Sequence, residues 1–140
     1  MRRSRGFTLI ESLAVVAIAG LLAATGSVGV AELLRGARLA GAARTLAATL
    51  RLARGQALAG IGPVVARFDA VRGRYEILDG AGVRLTDHEL PAGVAFASLP
   101  ARARVTFGAL GTTDNATISL AAGPRSRRIV VNQRGRVRIT

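Results

Sequence analysis

The sequence predicts an α+β fold, in which one long N-terminal helix packs on a C-terminal antiparallel β-sheet domain. Residues 12–31 contain no charged side chain, and apolar residues then recur at helical spacing as far as Ala57. After Pro63 the apolar residues recur at every second position, which is typical of strands. Because the strands follow the helix, we expect an α+β arrangement. A length of 140 residues suits one domain with an appendage.

The composition is strongly basic. The formal net charge is +12, and all 20 basic residues are arginines. Such a charge favours anionic partners, namely nucleic acid, lipid head groups or an acidic protein surface. Cysteine is absent, which excludes disulfides, thiolate metal sites and thiol nucleophiles.

The first half of the helix, residues 7–31, is predicted to span a membrane. Twenty uncharged residues at about 1.5 Å each extend over roughly 30 Å, the thickness of the hydrocarbon core. The basic residues before the span place the amino terminus in the cytoplasm: Arg2, Arg3 and Arg5. A cleaved secretory signal and a plain anchor are the alternatives. Neither explains Glu11, because an acid within a span is costly unless it has a partner.

The stretch Gly6-Phe7-Thr8-Leu9-Ile10-Glu11 resembles the class III signal of type IV pilins and pseudopilins. The resemblance implies that residues 1–6 are a leader, which prepilin peptidase removes between Gly6 and Phe7 on the cytoplasmic side. It also implies that the peptidase methylates the new amino terminus at Phe7. Glu11 would then pair with the amino terminus of a neighbouring subunit during assembly, so that two buried charges offset each other.

The same resemblance implies a place in the cell. The chain would cross the bacterial inner membrane once, with a cytoplasmic amino terminus and a periplasmic C-terminal domain, and it would also occur in the pilus or pseudopilus. Many pilins have a proline about 22 residues into the mature chain, where Val28 stands here. The position of any bend in the helix therefore stays open.

The second half of the helix, residues 32–60, carries a narrow apolar stripe. Its members are Leu39, Ala43, Leu46, Leu50, Ala53 and Ala57. Arg44 and Arg51 point away from this stripe, and Arg54 lies at its edge. The pattern predicts a helix that packs on its own sheet, since the stripe is too short for a coiled coil. The segment from Gly60 to Pro63 ends the helix.

The domain from residue 61 to 140 is predicted to be an antiparallel β domain. Turns are expected at 71–73 and 79–82, and Pro91 and Pro100 interrupt the middle of the domain. The predicted strands are 64–69, 74–78, 83–85, 104–107, 117–120, 128–131 and 136–139.

Three segments of this half resemble the GspH/FimT group of minor pseudopilins: residues 50–58, 107–111 and 128–138. The resemblance implies a subunit at or near the tip of a type II secretion pseudopilus or a type IV pilus. Its partners would be other pilins or pseudopilins, prepilin peptidase, the inner membrane, and secreted cargo or DNA.

No catalytic site is predicted, so the chain is not expected to be an enzyme. His88 lies between Asp87 and Glu89. Successive residues of an extended segment face opposite sides, so Asp87 and Glu89 face one side and His88 the other, and the three side chains do not converge. The acids do not follow a known calcium-loop spacing. The glycine-rich segment 108–113 lacks the lysine of a P-loop. We expect neither a cofactor nor a metal.

The end of the chain is rich in arginine, and no acid follows Asp114. The arginines concerned are Arg125, Arg127, Arg128, Arg134, Arg136 and Arg138. If 134–139 is a strand, three of them share one face at intervals of about 6.6 Å. Guanidinium groups suit bidentate contact with phosphate.

Two interpretations of this segment stay open. It is either a solvated outer face whose charge protects an edge strand from aggregation, or a surface that binds an anionic ligand. Gly135-Arg136-Val137-Arg138 has the Gly-Arg-x-Arg form of FimT-like minor pilins that bind DNA in natural transformation. The secretion branch of the group can end in a similar hairpin, so the resemblance favours neither branch.

Overall fold

The computed structural model describes residues 8–140, with the exception of the side chains of residues 23–28 and 61. Gly6, Phe7 and the arginines that precede them lie outside these residues. The chain divides into two compact units, Met1–Leu34 and Arg35–Thr140. Helix α1, Leu9–Gln56, contributes its first part to one unit and the rest to the other.

The described part of the first unit is helical and leaves its apolar side chains exposed. The large apolar residues concerned have 50% to 83% of their surface exposed: Leu9, Ile10, Leu13, Val15, Val16, Ile18, Leu21, Leu22, Val30, Leu33 and Leu34. Within the described residues, no helix combines the length and the apolar character needed to cross a membrane. The predicted span of residues 7–31 includes Phe7 and the side chains of 23–28, which lie outside this part.

In the second unit, the helix buries the predicted apolar stripe. All six members of the stripe are buried, and Leu46 and Leu50 have no exposed surface. A wide helical turn, Ala57–Ile61, follows α1, and Gly60 within it has a φ of 87°. Glycine adopts this left-handed conformation readily, because it has no Cβ. The helix therefore ends where the glycine–proline segment predicts.

The β domain consists of two four-stranded sheets. The first sheet contains β1 (Val64–Asp69), β2 (Arg74–Leu78), β3 (Arg84–Glu89) and β5 (Arg104–Phe107), in the order β3-β2-β1-β5. The second contains β4 (Ala95–Ser98), β6 (Ala116–Ala122), β7 (Arg125–Val131) and β8 (Val137–Ile139), in the order β4-β6-β7-β8. All neighbouring strands are antiparallel. A 3₁₀ turn, Ala101–Ala103, leads into β5.

One hydrophobic core joins the helix to both sheets. Leu46 and Leu50 of α1 lie in the same buried cluster as Phe107 of the first sheet and Ile118 and Ile129 of the second. The strands of the core alternate between buried and more exposed residues, as in β6. This alternation lets each sheet turn one face to the helix while the other face contacts solvent.

The predicted fold class is confirmed, and several strand boundaries need correction. The sequence predicts neither the division into two sheets nor strand β4, which lies between Pro91 and Pro100. Strand β3 continues to Glu89, four residues beyond the predicted end. Strands β3 and β4 are both edge strands with few large apolar residues. Pairing with a neighbouring strand, rather than an apolar pattern, maintains their extended conformation.

Candidate functional site

The predicted assembly residue Glu11 lies in the first turn of α1 and is exposed. Its backbone N–H donates to the Oγ1 atom of Thr8 at 3.3 Å, so Thr8 caps the helix. A carboxylate in the first turn also interacts favourably with the helix dipole. Glu11 therefore contributes to the helix start, and its carboxylate is accessible to a partner. The predicted processing residues, Gly6 and Phe7, lie outside the described residues.

His88 serves as a packing residue at the edge of the first sheet. Its ring stacks on Tyr75 of the neighbouring strand, with ring centroids 5.2 Å apart and 25° between the planes. Asp87 is exposed, and Glu89 accepts a hydrogen bond of 3.1 Å from the Nη2 atom of Arg74. The three consecutive side chains do not converge. Among residues 8–140, no group of histidine, aspartate and glutamate side chains is arranged to hold a metal ion.

Tyr75 is a buried ionisable group that belongs to this packing. Burial raises the pKa of its phenol above the ordinary value, and a hydrogen bond with the Thr49 side chain lowers the pKa by a smaller amount. Its ring also lies 6.3 Å from that of Phe68, centroid to centroid. The contacts of Tyr75 are those of a core residue.

Charge is distributed unequally between the two sheets. The strands of the first sheet carry four arginines and four carboxylates: Arg67, Arg74, Arg84, Arg104, Asp69, Glu76, Asp87 and Glu89. The strands of the second sheet carry four arginines and no carboxylate: Arg125, Arg127, Arg128 and Arg138. In the first sheet, ion pairs join arginines and carboxylates of β1–β3 and of the turn after β1. The second sheet is therefore the side of the domain that attracts anions.

The last hairpin has a shorter final strand than the sequence predicts. The N–H of Arg136 donates to Asn132 Oδ1 at 2.9 Å, and Gly135, with a φ of 68°, donates to the Asn132 carbonyl at 2.8 Å. These bonds form a turn over residues 132–136, so only Arg138 lies in β8. A strand over residues 134–139, which would place Arg134, Arg136 and Arg138 on one face, does not form, because the turn removes two of the three from the extended segment.

Two arginines of α1 contact this hairpin and the loop beside it. The Nη2 atom of Arg51 donates to the carbonyl of Val137 at 3.0 Å. One helical turn later, the Nε atom of Arg54 donates to the carbonyl of Gly111 at 3.2 Å. The two loops also bond to each other, since the N–H of Thr113 donates to the carbonyl of Gln133 at 3.0 Å. The helix thus holds both loops in one arrangement.

A surface cavity of about 360 Å³ lies at this junction. It is lined by Arg51, Arg54, Gly135, Arg136, Val137 and Arg138. We call it the arginine cavity. Four of its six lining residues are arginines, and none is an acid. No carboxylate of the described part of the chain forms an ion pair with any of the four arginines.

The other C-terminal arginines lie elsewhere on the hairpin. Arg134 lines a smaller cavity, of about 240 Å³, together with Asn115, Asn132, Gln133 and Arg136. Arg128 and Arg138 lie on the outer face of the second sheet, because strand alternation turns Ile129 and Val131 inward. Arg127 and Arg125 share the inner face, where the Arg125 guanidinium lies beside Gly36 of α1. The six predicted arginines therefore do not form one surface.

Sequence reasoning missed Arg51 and Arg54 as members of the site. The pattern places Arg51 outside the apolar stripe and Arg54 at its edge, and both are consistent with solvated side chains. Their spacing of three residues places them one above the other on the helix, but the carbonyls that they bind lie 86 and 57 residues away. No local pattern indicates such partners.

Comparison with known families covers nearly the whole chain. Residues 42–135 match the family model of type II transport protein GspH. Residues 1–27 match the prokaryotic N-terminal methylation motif, which includes Gly6, Phe7 and Glu11. No curated protein sequence matches the chain.

Two solved structures share the fold. The type IV minor pilin FimU of Pseudomonas aeruginosa superposes with a TM-score of 0.62 at 21% identity, over 73% of this chain and 87% of that one. The minor pseudopilin EpsH from the type 2 secretion system of Vibrio cholerae gives 0.61 at 16% identity, over 74% of this chain and 96% of that one. The architecture of one helix on an antiparallel β domain is thus that of minor pilins and pseudopilins.

Proposed function

Because the chain belongs to the family of type II transport protein GspH and carries the N-terminal methylation motif, we propose that it assembles into a filament. The filament is a type II secretion pseudopilus or a type IV pilus, and the subunit lies at or near its tip. The observation that carries the proposal is the methylation motif on a chain with a minor-pilin fold. Before assembly, residues 7–31 anchor the subunit in the bacterial inner membrane, with the amino terminus in the cytoplasm and the β domain in the periplasm.

The described part of the first unit supports this role. Its large apolar side chains are exposed on every side of the helix, as in Leu9, Ile10 and Leu13. A surface of this kind needs a lipid or protein environment. Glu11 is the one acid within the first two turns, and its carboxylate offsets the charge of a neighbouring amino terminus when both leave water.

Processing by prepilin peptidase tests the proposal. Cleavage between Gly6 and Phe7 yields a mature chain that begins with N-methylated Phe7, and mass spectrometry detects both changes. We expect Gly6→Ala to block cleavage. Gly20→Ala is the matched control, because a Cβ at Gly20 meets no other atom and the variant is expected to be processed normally. A mature chain that begins near residue 25 would show an ordinary secretory signal and overturn the proposal.

A second candidate function is DNA binding, as in the FimT-like branch that the C-terminal motif resembles. The observation that favours it is the unequal charge of the sheets, since the second sheet carries four arginines and no carboxylate on its strands. Arginine side chains contact phosphates without reading sequence. The subunit would then bind DNA during natural transformation.

Binding of duplex DNA to the full chain in a neutral detergent tests this second function. Fluorescence anisotropy of a labelled duplex is expected to show binding at low salt, with an affinity that falls linearly with salt on logarithmic axes. Arg127→Gln with Arg128→Gln is expected to reduce this slope. Arg67→Gln, in the first sheet with its balanced charges, is the control and should leave the slope unchanged. Absence of binding at low salt would contradict the second function.

A further inference from the structure

We propose that the arginine cavity binds a single phosphate group, for which Arg51 and Arg54 of the helix supply half of the guanidinium groups. The identity of the ligand rests on the second candidate function, DNA binding. In that function, the cavity holds one phosphate of the DNA backbone. The C-terminal sequence motif covers only Arg136 and Arg138. The helix arginines lie more than 80 residues before them and enter the site through the fold alone.

The arginines of the cavity keep N–H donors that the described part of the chain does not use. A guanidinium group has five N–H donors and no acceptor. Arg51 uses its Nη2 atom on the carbonyl of Val137, and Arg54 uses its Nε atom on the carbonyl of Gly111. Each of these side chains therefore keeps further N–H donors beside the cavity. Arg136 and Arg138 make no side-chain hydrogen bond or ion pair within residues 8–140.

The electrostatics of the cavity favour a bound anion. Four like charges line one cavity, and among the described residues no acid pairs with any of them. Their mutual repulsion is unfavourable, and an anion between them relieves it. A bound anion is therefore stabilised by the arrangement that the fold imposes.

Hydrogen bonds hold both segments of the cavity in place. The side chains of Arg51 and Arg54 are fixed by the hydrogen bonds that they donate to backbone carbonyls. Less side-chain entropy is therefore lost when a ligand binds. The hairpin is fixed as well, by the turn at Asn132 and by the bond from Thr113 to Gln133. A solvated arginine face has no such restraints, and this difference favours a binding site.

The origin of the four guanidiniums favours phosphate as the anion. The helix supplies two of them, and the hairpin supplies the other two. A carboxylate is planar and offers two oxygens along one direction, whereas a phosphate offers oxygens in several directions. Guanidinium groups match phosphate oxygens with paired hydrogen bonds. A phosphate can therefore contact guanidiniums of the helix and of the hairpin at once.

Titration with inorganic phosphate at constant ionic strength tests the cavity directly. We expect saturable changes in the ¹H–¹⁵N NMR signals of Gly111 and Gly135 in the full chain in neutral detergent, and none with chloride alone. Arg136→Gln with Arg138→Gln should abolish these changes without loss of the fold, because neither side chain bonds to another residue of the described part of the chain. Arg44→Gln, an exposed arginine of the same helix, is the control for charge.

Binding of duplex DNA is the second test of the cavity. For each phosphate contact that is lost, the slope of log affinity against log salt is expected to decrease by about 0.9. We expect this decrease for Arg51→Gln and for Arg136→Gln, and no change for Arg44→Gln. Because Arg51 also bonds to Val137, Arg51→Lys is added as a variant that keeps the charge, and it should retain most of the slope.

The outcomes separate the cavity from DNA binding. Phosphate signals without DNA binding would support the cavity and overturn the second function. DNA binding whose slope is insensitive to Arg51→Gln and Arg136→Gln would support the second function and overturn the cavity. Absence of phosphate-dependent signals at Gly111 and Gly135 would also overturn the cavity.

Discussion

The Nε atom of Arg54 lies 3.2 Å from the carbonyl oxygen of Gly111, which follows it by 57 residues. Gly135 packs against both groups and is buried. A Cβ atom on Gly135 would overlap the Gly111 carbonyl and would lie 2.7 Å from the Cδ and Nε atoms of Arg54. The contact between helix, loop and hairpin therefore depends on a residue without a side chain.

The first prediction concerns this glycine. Gly135→Ala should destabilise the fold for two reasons. Alanine is strained at the left-handed φ of 68° that Gly135 adopts, and its Cβ would overlap Gly111 and Arg54. Gly123→Ala is the matched control, because Gly123 has a φ of 61° and open space around it. The conformational effect costs roughly 1–2 kcal/mol at both positions. The overlap should add about 1–3 kcal/mol at Gly135 alone.

Urea unfolding of both variants measures the difference. If the two substitutions lower the free energy of unfolding equally, Gly135 does not pack against the helix contact as described. The ¹H–¹⁵N NMR spectrum of Gly135→Ala should also show an altered signal for Gly111, since the loop must move to accommodate the added methyl group.

The second prediction concerns the packing of helix on sheets. Leu46 has no exposed surface, so Leu46→Ala removes buried methyl groups and leaves a cavity. The free energy of unfolding should fall by about 2–5 kcal/mol. Leu52, on the other side of the same helix, is 59% exposed, and Leu52→Ala should change the stability by less than about 0.5 kcal/mol. Equal effects in denaturant unfolding would contradict this orientation of the helix.

The third prediction concerns pH. Burial raises the pKa of Tyr75 above its ordinary value of 10.0, so the folded state binds the phenol proton more tightly than the unfolded chain does. The free energy of unfolding should therefore have its full value below pH 10 and fall as the pH rises through the folded pKa. Tyr75→Phe should remove this decrease.

The sequence makes this titration simple to observe. Tyr75 is the only tyrosine, and the chain has no tryptophan and no lysine. Ultraviolet absorbance of the phenolate thus reports one residue. The midpoint should lie above 10.0 in the folded protein and near that value in concentrated urea. A folded midpoint at or below the urea value would show that the phenol is not buried.

The fourth prediction concerns assembly and depends on the proposed function. Glu11→Gln removes the charge that would pair with the amino terminus of a neighbouring subunit, which leaves that ammonium group without a partner. The variant should be cleaved and methylated normally but should fail to enter filaments, as measured by its absence from sheared pilus or pseudopilus fractions. Ser12→Ala, at the next position, should assemble like the native chain. Normal incorporation of Glu11→Gln would contradict the pairing role.

Much of the fold is predictable because its signals are local. The apolar stripe from Leu39 to Ala57 follows the helical period, and all its members are buried. Strands β1, β2 and β5 begin and end at the predicted residues, since each alternates clearly and is bounded by turn residues. Strand β4 and the end of β3 lack this alternation, and their extended conformation depends on pairing with neighbours.

The candidate site is predictable only in part. The sequence identifies Arg136 and Arg138 as candidates, because basic residues cluster after the last acid. It does not indicate Arg51 and Arg54, and it starts the last strand at Arg136, where the structure has a turn. These errors share one cause. The turn at Gly135 and the partners of the helix arginines depend on contacts between segments far apart in the chain.

By itself, the sequence determined the α+β class, the charge, the buried face of the helix and the family to which the chain belongs. Hydrophobic periodicity and short motifs carry this information, because each depends only on residues close together in the chain. Only the tertiary structure decided which arginines lie together. Arg51 donates a hydrogen bond to the Val137 carbonyl, and Arg54 donates one to the Gly111 carbonyl. Gly135, which has no side chain, leaves the space for the Arg54 contact.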